Sequence, residues 1–299
     1  MRAGYVRFGA HGARLSAMYV EHLRIPVGPG SLHAERLGRG GPPVVLLHGF
    51  GTCSFLWRHL APVLAQAGYT AIAFDLLGYG ESDQPQEAAY TPAAQAEYLS
   101  RAVTALRLTD VTVVGQDMGA IVAMLLATSP RTRVASTILL SPSDPDDLPG
   151  APIRALQRAS AKVVLSAHTL FGAKALLEPL LQGAVRDPTC LPERLIARYL
   201  APYVGPEGAS QLLQRAAAIE LQTEDRAAIA TITSPVLIVE GAAGSPRPSL
   251  SWAAVLAQAP VTFERMPDAS SLVPEEAPSA LAELLLAWLS RQRLAGSLR

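Results

Sequence analysis

The stretch from Val111 to Ala127 restricts the fold more than any other part of the chain. Val111-Thr112-Val113-Val114 is a β-branched run with little polar alternation, which marks a strand buried on both faces. Ala120 to Ala127 is apolar all round, which marks a helix packed against that sheet. Between them, Gly115-Gln116-Asp117-Met118-Gly119 allows a sharp strand-to-helix turn, because the flanking glycines carry no side chain. Such a turn lifts Asp117 above a helix N-terminus, where backbone N–H groups and the helix dipole stabilise negative charge.

The rest of the chain repeats this alternation of short strands with alanine- and leucine-rich helices, the pattern of a mostly parallel sheet covered on both faces. Tyr19–Val27 and Leu32–Leu37 read as an opening hairpin around Gly28-Pro29-Gly30, followed by strands at Pro43–Leu47, Ala71–Asp75 and Ser136–Leu140. Helices are expected near Phe55–Gly68 and Pro92–Leu106. From about Asp144 to Thr233 the pattern changes to helices and loops without a clear strand; alternation then resumes with Pro235–Val239, a helix at Ser251–Gln258, Val261–Met266 and a final helix from Pro274 to Arg293. We therefore expect a core formed by residues 1–143 and 234–299, with residues 144–233 inserted as a helical cap over the carboxyl ends of the strands. Ligands bind at that edge in open α/β sheets.

Composition narrows the function classes. Formal charge is balanced, with 25 basic and 25 acidic residues, so no electrostatic surface for nucleic acid or anionic lipid is expected. Cys53 and Cys190 are the only cysteines and give neither a disulfide framework nor a metal-ligand spacing. Met1–Gly12 lacks the apolar run of a signal peptide, and no segment approaches ~20 consecutive apolar residues. The expectation is a cytoplasmic protein without metal or cofactor, monomeric or homodimeric, acting on a small molecule.

Leu47-His48-Gly49-Phe50-Gly51 closes a buried strand with a flexible turn. There the Phe50 N–H can converge with that of Met118 to make an oxyanion hole. Asp75-Leu76-Leu77-Gly78-Tyr79-Gly80-Glu81-Ser82-Asp83 lies between the two motifs, its acids expected to tie down the loop. Order and spacing together resemble the α/β-hydrolase superfamily over nearly the whole chain after Tyr19, helical cap included. The Gly-x-Asp-x-Gly turn and the Trp57-Arg58 pair are similar to its epoxide hydrolase and haloalkane dehalogenase branch. There an aspartate attacks carbon and a histidine-activated water cleaves the ester.

Departures from that branch shape the expected chemistry. Ser271 stands where the resemblance implies the histidine, Ser141 stands at one supporting-acid site, and Glu240-Gly241-Ala242-Ala243 carries no aspartate after its glycine. Met118 and Phe50 replace the tryptophan and asparagine that donate to halide in dehalogenases. Tyr199 and Tyr203 lie in the expected cap and are the candidates for an acid in epoxide opening, although four-residue spacing also suits cap packing with hydroxyls at the surface. His48 is expected to brace the oxyanion loop, His168 to sit in the cap, and His11, His22, His33 and His59 to face solvent. Cys53 is expected to be buried and Asp268 to be solvated. The candidate pocket comprises His48, Gly51, Trp57, Gln116, Ser141, His168, Tyr199, Tyr203, Glu240 and Ser271 around Asp117.

A buried carboxylate beside an oxyanion hole suits proton-driven chemistry without hydrolysis: Michael-type carbon–carbon bond formation, cyclisation, elimination or epoxide opening. Resemblance to non-hydrolytic superfamily members, including tailoring enzymes of actinomycete polyketide pathways, implies a bulky apolar substrate. Two other readings stand beside it. One is hydrolysis of epoxides or haloalkanes with Asp117 as nucleophile and His168 as base; the other is ligand binding without catalysis.

Overall fold

The computed structural model of the chain describes residues 3–6, 18–158, 172–242 and 250–297. Its sheet contains β1 (Ala3–Val6), β2 (Met18–Pro26), β3 (Ser31–Leu37), β4 (Pro43–Leu47), β5 (Thr70–Phe74), β6 (Val111–Gln116), β7 (Val134–Leu140), β8 (Val236–Gly241) and β9 (Val261–Met266). The strands run in the order β1-β2-β3-β5-β4-β6-β7-β8-β9. Pairing is antiparallel from β1 to β5 and parallel from β5 through β9. Every residue of β5 and β6 is buried, as a parallel strand covered on both faces requires. The pairing of Ala3–Val6 with Met18–Glu21 adds an edge strand that the sequence pattern did not signal.

The core helices are α1 (Leu60–Gln66), α2 (Pro92–Ala105) and α3 (Met118–Ala127). Between β7 and β8 lie α4 (Ala151–Arg158), α5 (Lys174–Gly183), α6 (Glu193–Leu200), α7 (Gly208–Ala217) and α8 (Thr223–Ile229), with no strand among the described residues there. The chain ends with α9 (Leu250–Val255), α10 (Val273–Glu276) and α11 (Pro278–Ser297). Helix α2 packs against α3, and α1 against α11. Met118 to Leu126 are all buried in α3, which matches its all-round apolar sequence.

Two helices expected as single pieces are divided. The segment near Phe55–Gly68 opens as a 3₁₀ turn at Ser54–Trp57 and becomes α-helical only from Leu60. The final helix is interrupted at Ala277, whose φ of −135° is non-helical. Pro278 is the cause: its ring disfavours the helical conformation for the preceding residue, yet suits the first position of α11. No helix among the described residues is long and apolar enough to cross a membrane.

Candidate active site

Asp117 stands between β6 and α3 with φ 52° and ψ −118°, a left-handed conformation that costs a non-glycine residue roughly 1–3 kcal/mol. Its neighbours over-determine it. The Asp117 N–H donates to the Leu140 carbonyl at 3.0 Å, and the Ala120 N–H donates to the Asp117 carbonyl at 2.9 Å. A Cβ on Gly119 would lie 2.5 Å from the His48 carbonyl oxygen, and one on Gly115 would lie 2.2 Å from the Gly119 oxygen. Only glycine lets the turn approach β4 this closely.

The carboxylate is held by the loop that follows β4. The Phe50 N–H donates to Asp117 Oδ2 at 3.2 Å, and the nearby Met118 N–H and Ser143 hydroxyl also favour its charged form. Burial raises the Asp117 pKa above the usual aspartate value, and these three donors oppose the shift without cancelling it. Of the two N–H groups expected to receive a substrate oxygen, that of Phe50 is therefore engaged by Asp117 itself. A carboxylate is the nearest and most strongly charged acceptor, so it fills the hole whenever no substrate displaces it.

His48 explains how Phe50 is presented. Its Nε2 accepts from the Leu76 N–H at 3.0 Å, which leaves Nδ1–H to donate to the Gly49 carbonyl at 2.8 Å. Burial lowers its pKa, so the ring is neutral and satisfied at both nitrogens. Thr52 Oγ1 donates to the same Gly49 carbonyl at 3.1 Å.

Above Asp117 lies a cavity of about 620 Å³, bounded by strand ends on one side and by Ile153 and Pro179–Leu181 of the helical segment on the other. Of the expected pocket residues, Gln116, Ser141, Glu240 and Ser271 line it, together with Phe50 and Asp117. Gln116 Nε2 donates to the Ser271 carbonyl at 2.8 Å and fixes the loop where a histidine was sought. Ser141 takes a positive φ of 44°, and its hydroxyl has no hydrogen-bond partner among the described residues.

Five expected pocket residues do not line the cavity. His48 stands behind the loop that it braces. Gly51 faces helix α5, where a Cβ would lie 2.2 Å from Leu177 Cδ1. Trp57 is wholly enclosed in the core. Tyr199 and Tyr203 are buried, so their hydroxyls are not at the surface as cap packing suggested. The Tyr199 hydroxyl donates to Glu275 Oε1 at 2.5 Å, and the Tyr203 hydroxyl has no partner among the described residues. Neither is placed to protonate an epoxide in this cavity. His168 and His11 lie outside the described residues.

The expectation of solvent-facing histidines also needs correction. His33 is only 3% exposed, because its Nδ1 meets Asp75 Oδ2 at 2.7 Å beneath the 75–83 turn. His22 is half-buried beside it, while His59 and Asp268 are exposed. Asp75 also accepts from the Ser54 and Glu81 N–H groups at 2.6 and 2.9 Å, and Asp83 accepts from the Ser31 N–H at 2.8 Å. Cys53 is buried.

Sequence reasoning missed Ser143. Its backbone carbonyl accepts from Trp252 Nε1 at 2.8 Å, which anchors the 141–144 loop and aims the hydroxyl at Asp117. The available signal was its position just beyond β7, the strand beside the one that carries Asp117. Also missed was the link from α6 to the core, in which the Tyr199 hydroxyl donates to Glu275, to which Arg58 Nη1 and Nη2 each donate at 2.6 Å.

A family profile described as alpha/beta hydrolase fold matches residues 42–175. The chain is 35% identical over 136 residues to a haloalkane dehalogenase of Mycobacterium marinum, covering 44% of this chain and 43% of that protein. It is 37% identical over 123 residues to Epoxide hydrolase 3 of Siraitia grosvenorii, covering 41% of this chain and 39% of that protein. The matched part of the chain thus spans about two fifths of the length of these relatives. Among solved structures, the ligand-free epoxide hydrolase CorEH superimposes with a TM-score of 0.75 at 25% identity, covering 91% of this chain and 99% of that one. The chain has the α/β-hydrolase fold, with haloalkane dehalogenases and epoxide hydrolases among its relatives.

Proposed function

We propose that this chain is a cofactor-independent enzyme that moves a proton through Asp117 on a bulky, mostly apolar small molecule. The products we infer are those of carbon–carbon bond formation, cyclisation, elimination or epoxide opening, as in polyketide tailoring. Residues 144–233 act in this reading as the lid of the cavity.

The carrying observation is the state of Asp117. Burial lifts its pKa, while the Phe50 N–H holds the carboxylate at the floor of the cavity and the Met118 N–H and Ser143 hydroxyl favour its charged form. A positioned acid with a pKa nearer neutrality exchanges protons more effectively at physiological pH. An incoming substrate oxygen can compete for the Phe50 and Met118 donors, which leaves the displaced carboxylate free to take a proton from carbon. Ser271 lines the place where a base for ester hydrolysis was sought and Ser141 a place where its supporting acid was sought, and a serine hydroxyl is neither at neutral pH.

Incubation in deuterium oxide with bulky cyclic ketones that carry an acidic C–H tests this reading. Deuterium should enter at that carbon with wild-type protein and not with Asp117→Asn. Equal wash-in with both proteins would refute it.

One observation favours a second reading, in which Asp117 is a nucleophile. Its strained turn and the Phe50 donor on its carboxylate orient it toward the cavity, and the relatives include epoxide hydrolases and haloalkane dehalogenases. Styrene oxide or 1-bromohexane would then leave a covalent ester on the intact protein, or be turned over to diol or alcohol with a gain of water. Unmodified protein with unchanged probe counts against it.

A further inference from the structure

The hairpin β2–β3 carries a second cluster of chemistry-bearing side chains, on elements that contribute nothing to the Asp117 cavity. Antiparallel register sets His22 opposite Glu35 and Arg24 opposite His33. Side chains alternate along each strand, so His22, His33 and Glu35 share one face. There His22 Nδ1 lies 3.1 Å from His33 Nε2, and with a Glu35 carboxylate oxygen the donor atoms all fall within 4.8 Å of one another. Glu81 Oε2, from the 75–83 turn, lies 3.8 Å from His33 Nε2.

The geometry points to a binding site for one zinc ion held by His22, His33 and Glu35. Two imidazole nitrogens on a tetrahedral zinc, each ~2.0–2.1 Å from it, stand roughly 3.3 Å apart. The observed 3.1 Å needs only a small spreading of the rings. His33 is already oriented as a ligand, because Asp75 takes its Nδ1 at 2.7 Å and leaves Nε2 for the ion. That carboxylate–histidine–metal arrangement is how zinc ligands are commonly fixed. Glu35 is half-buried yet has no hydrogen bond or ion pair among the described residues, so its carboxylate is available for a cation.

The basic side chains nearby are engaged elsewhere. Arg24 pairs with Asp83 and donates to the Glu81 carbonyl at 2.6 Å. Arg198 of α6 binds Glu81 Oε1 at 2.8 Å, leaving Oε2 toward His33. Zinc binding would displace the proton shared between His22 and His33 and break no other bond. The ion would then brace the hairpin and, through His33–Asp75, the 75–83 turn.

The test is equilibrium dialysis of the full-length chain, stripped with EDTA and then exposed to micromolar zinc. Wild-type protein should bind one zinc per chain and melt at a higher temperature with zinc than without. Glu35→Gln keeps the side-chain shape, and it should weaken binding by at least ~10-fold, the loss seen even when an outer-shell partner is removed. The double variant His22→Ala/Glu35→Gln should bind none and show no melting shift. Absence of zinc from wild-type protein would overturn the proposal and leave a proton shared between the histidines. Undiminished affinity in the double variant would overturn it equally, by placing the ion elsewhere.

Discussion

Glu275→Gln tests how the helical segment is fastened to the core. Arg58 grips Glu275 with two 2.6 Å hydrogen bonds, and the Tyr199 hydroxyl adds a third at 2.5 Å. The Glu275 side chain is 1% exposed and that of Arg58 18%, so the pair is largely removed from water. Breaking a buried pair by removing one partner costs about 3–5 kcal/mol, because the other charge is left uncompensated. Arg58 retains some solvent, the Phe55 carbonyl at 3.2 Å and the face of the Phe55 ring at 4.7 Å, which argues for the low end. We expect Glu275→Gln to cost about 3 kcal/mol. Urea titration should show a lower midpoint with an unchanged slope. Arg58→Met combined with Glu275→Gln removes both charges and should be less destabilised than Glu275→Gln alone, since no lone charge stays buried. A cost below ~0.5 kcal/mol for the single variant, or simple additivity in the double, would refute the argument.

Asp117→Asn should melt above wild type at neutral pH. The folded carboxyl group has a raised pKa, so its stabilising contribution is complete below the ordinary aspartate value of 3.8 and is lost as pH rises through the folded value. Asparagine never incurs that loss, and thermal melts at several pH values should show the gap closing in acid. Ser143→Ala removes a donor that lowers the Asp117 pKa, so the acid limb of Asp117-dependent deuterium exchange should move to higher pH. Gly119→Ala would place a Cβ 2.5 Å from the His48 carbonyl and 2.6 Å from that of Leu47. Such overpacking costs about 1–3 kcal/mol or more, visible in melts, and should abolish exchange by displacing Asp117 from Phe50.

The α/β fold class was legible because its information is local. Strands β4 to β7 are short, mostly apolar runs that alternate with helical segments, and that alternation pauses between β7 and β8. What escaped depends on contacts distant in sequence. His33 sits in a strand that resembles an exposed edge; its burial comes from Asp75, forty-two residues away. Ser143 gains its role from the register of β6 with β7, and Tyr199 gains its partner from Glu275, seventy-six residues away. The break before Pro278 is a different case, since the proline was visible and the apolar periodicity across it prevailed in the reading.

The occupancy of the oxyanion hole could not be read from the motifs, because it depends on a rotamer. Glycine spacing shows where the Phe50 and Met118 N–H groups converge, but not which oxygen the Phe50 N–H holds. That oxygen belongs to Asp117, and its position concentrates several costs at one residue. The backbone is left-handed, the carboxylate is buried against its charge, and glycine is required on both sides. Departures from local preference of this kind cluster at functional sites, where structure elsewhere sustains them. A purely binding protein would gain stability from Asp117→Asn and lose no chemistry. The proton-transfer reading requires both effects together: a higher melting temperature at neutral pH and complete loss of deuterium exchange. Stabilisation with exchange retained would separate the strain at Asp117 from the reaction and end that reading.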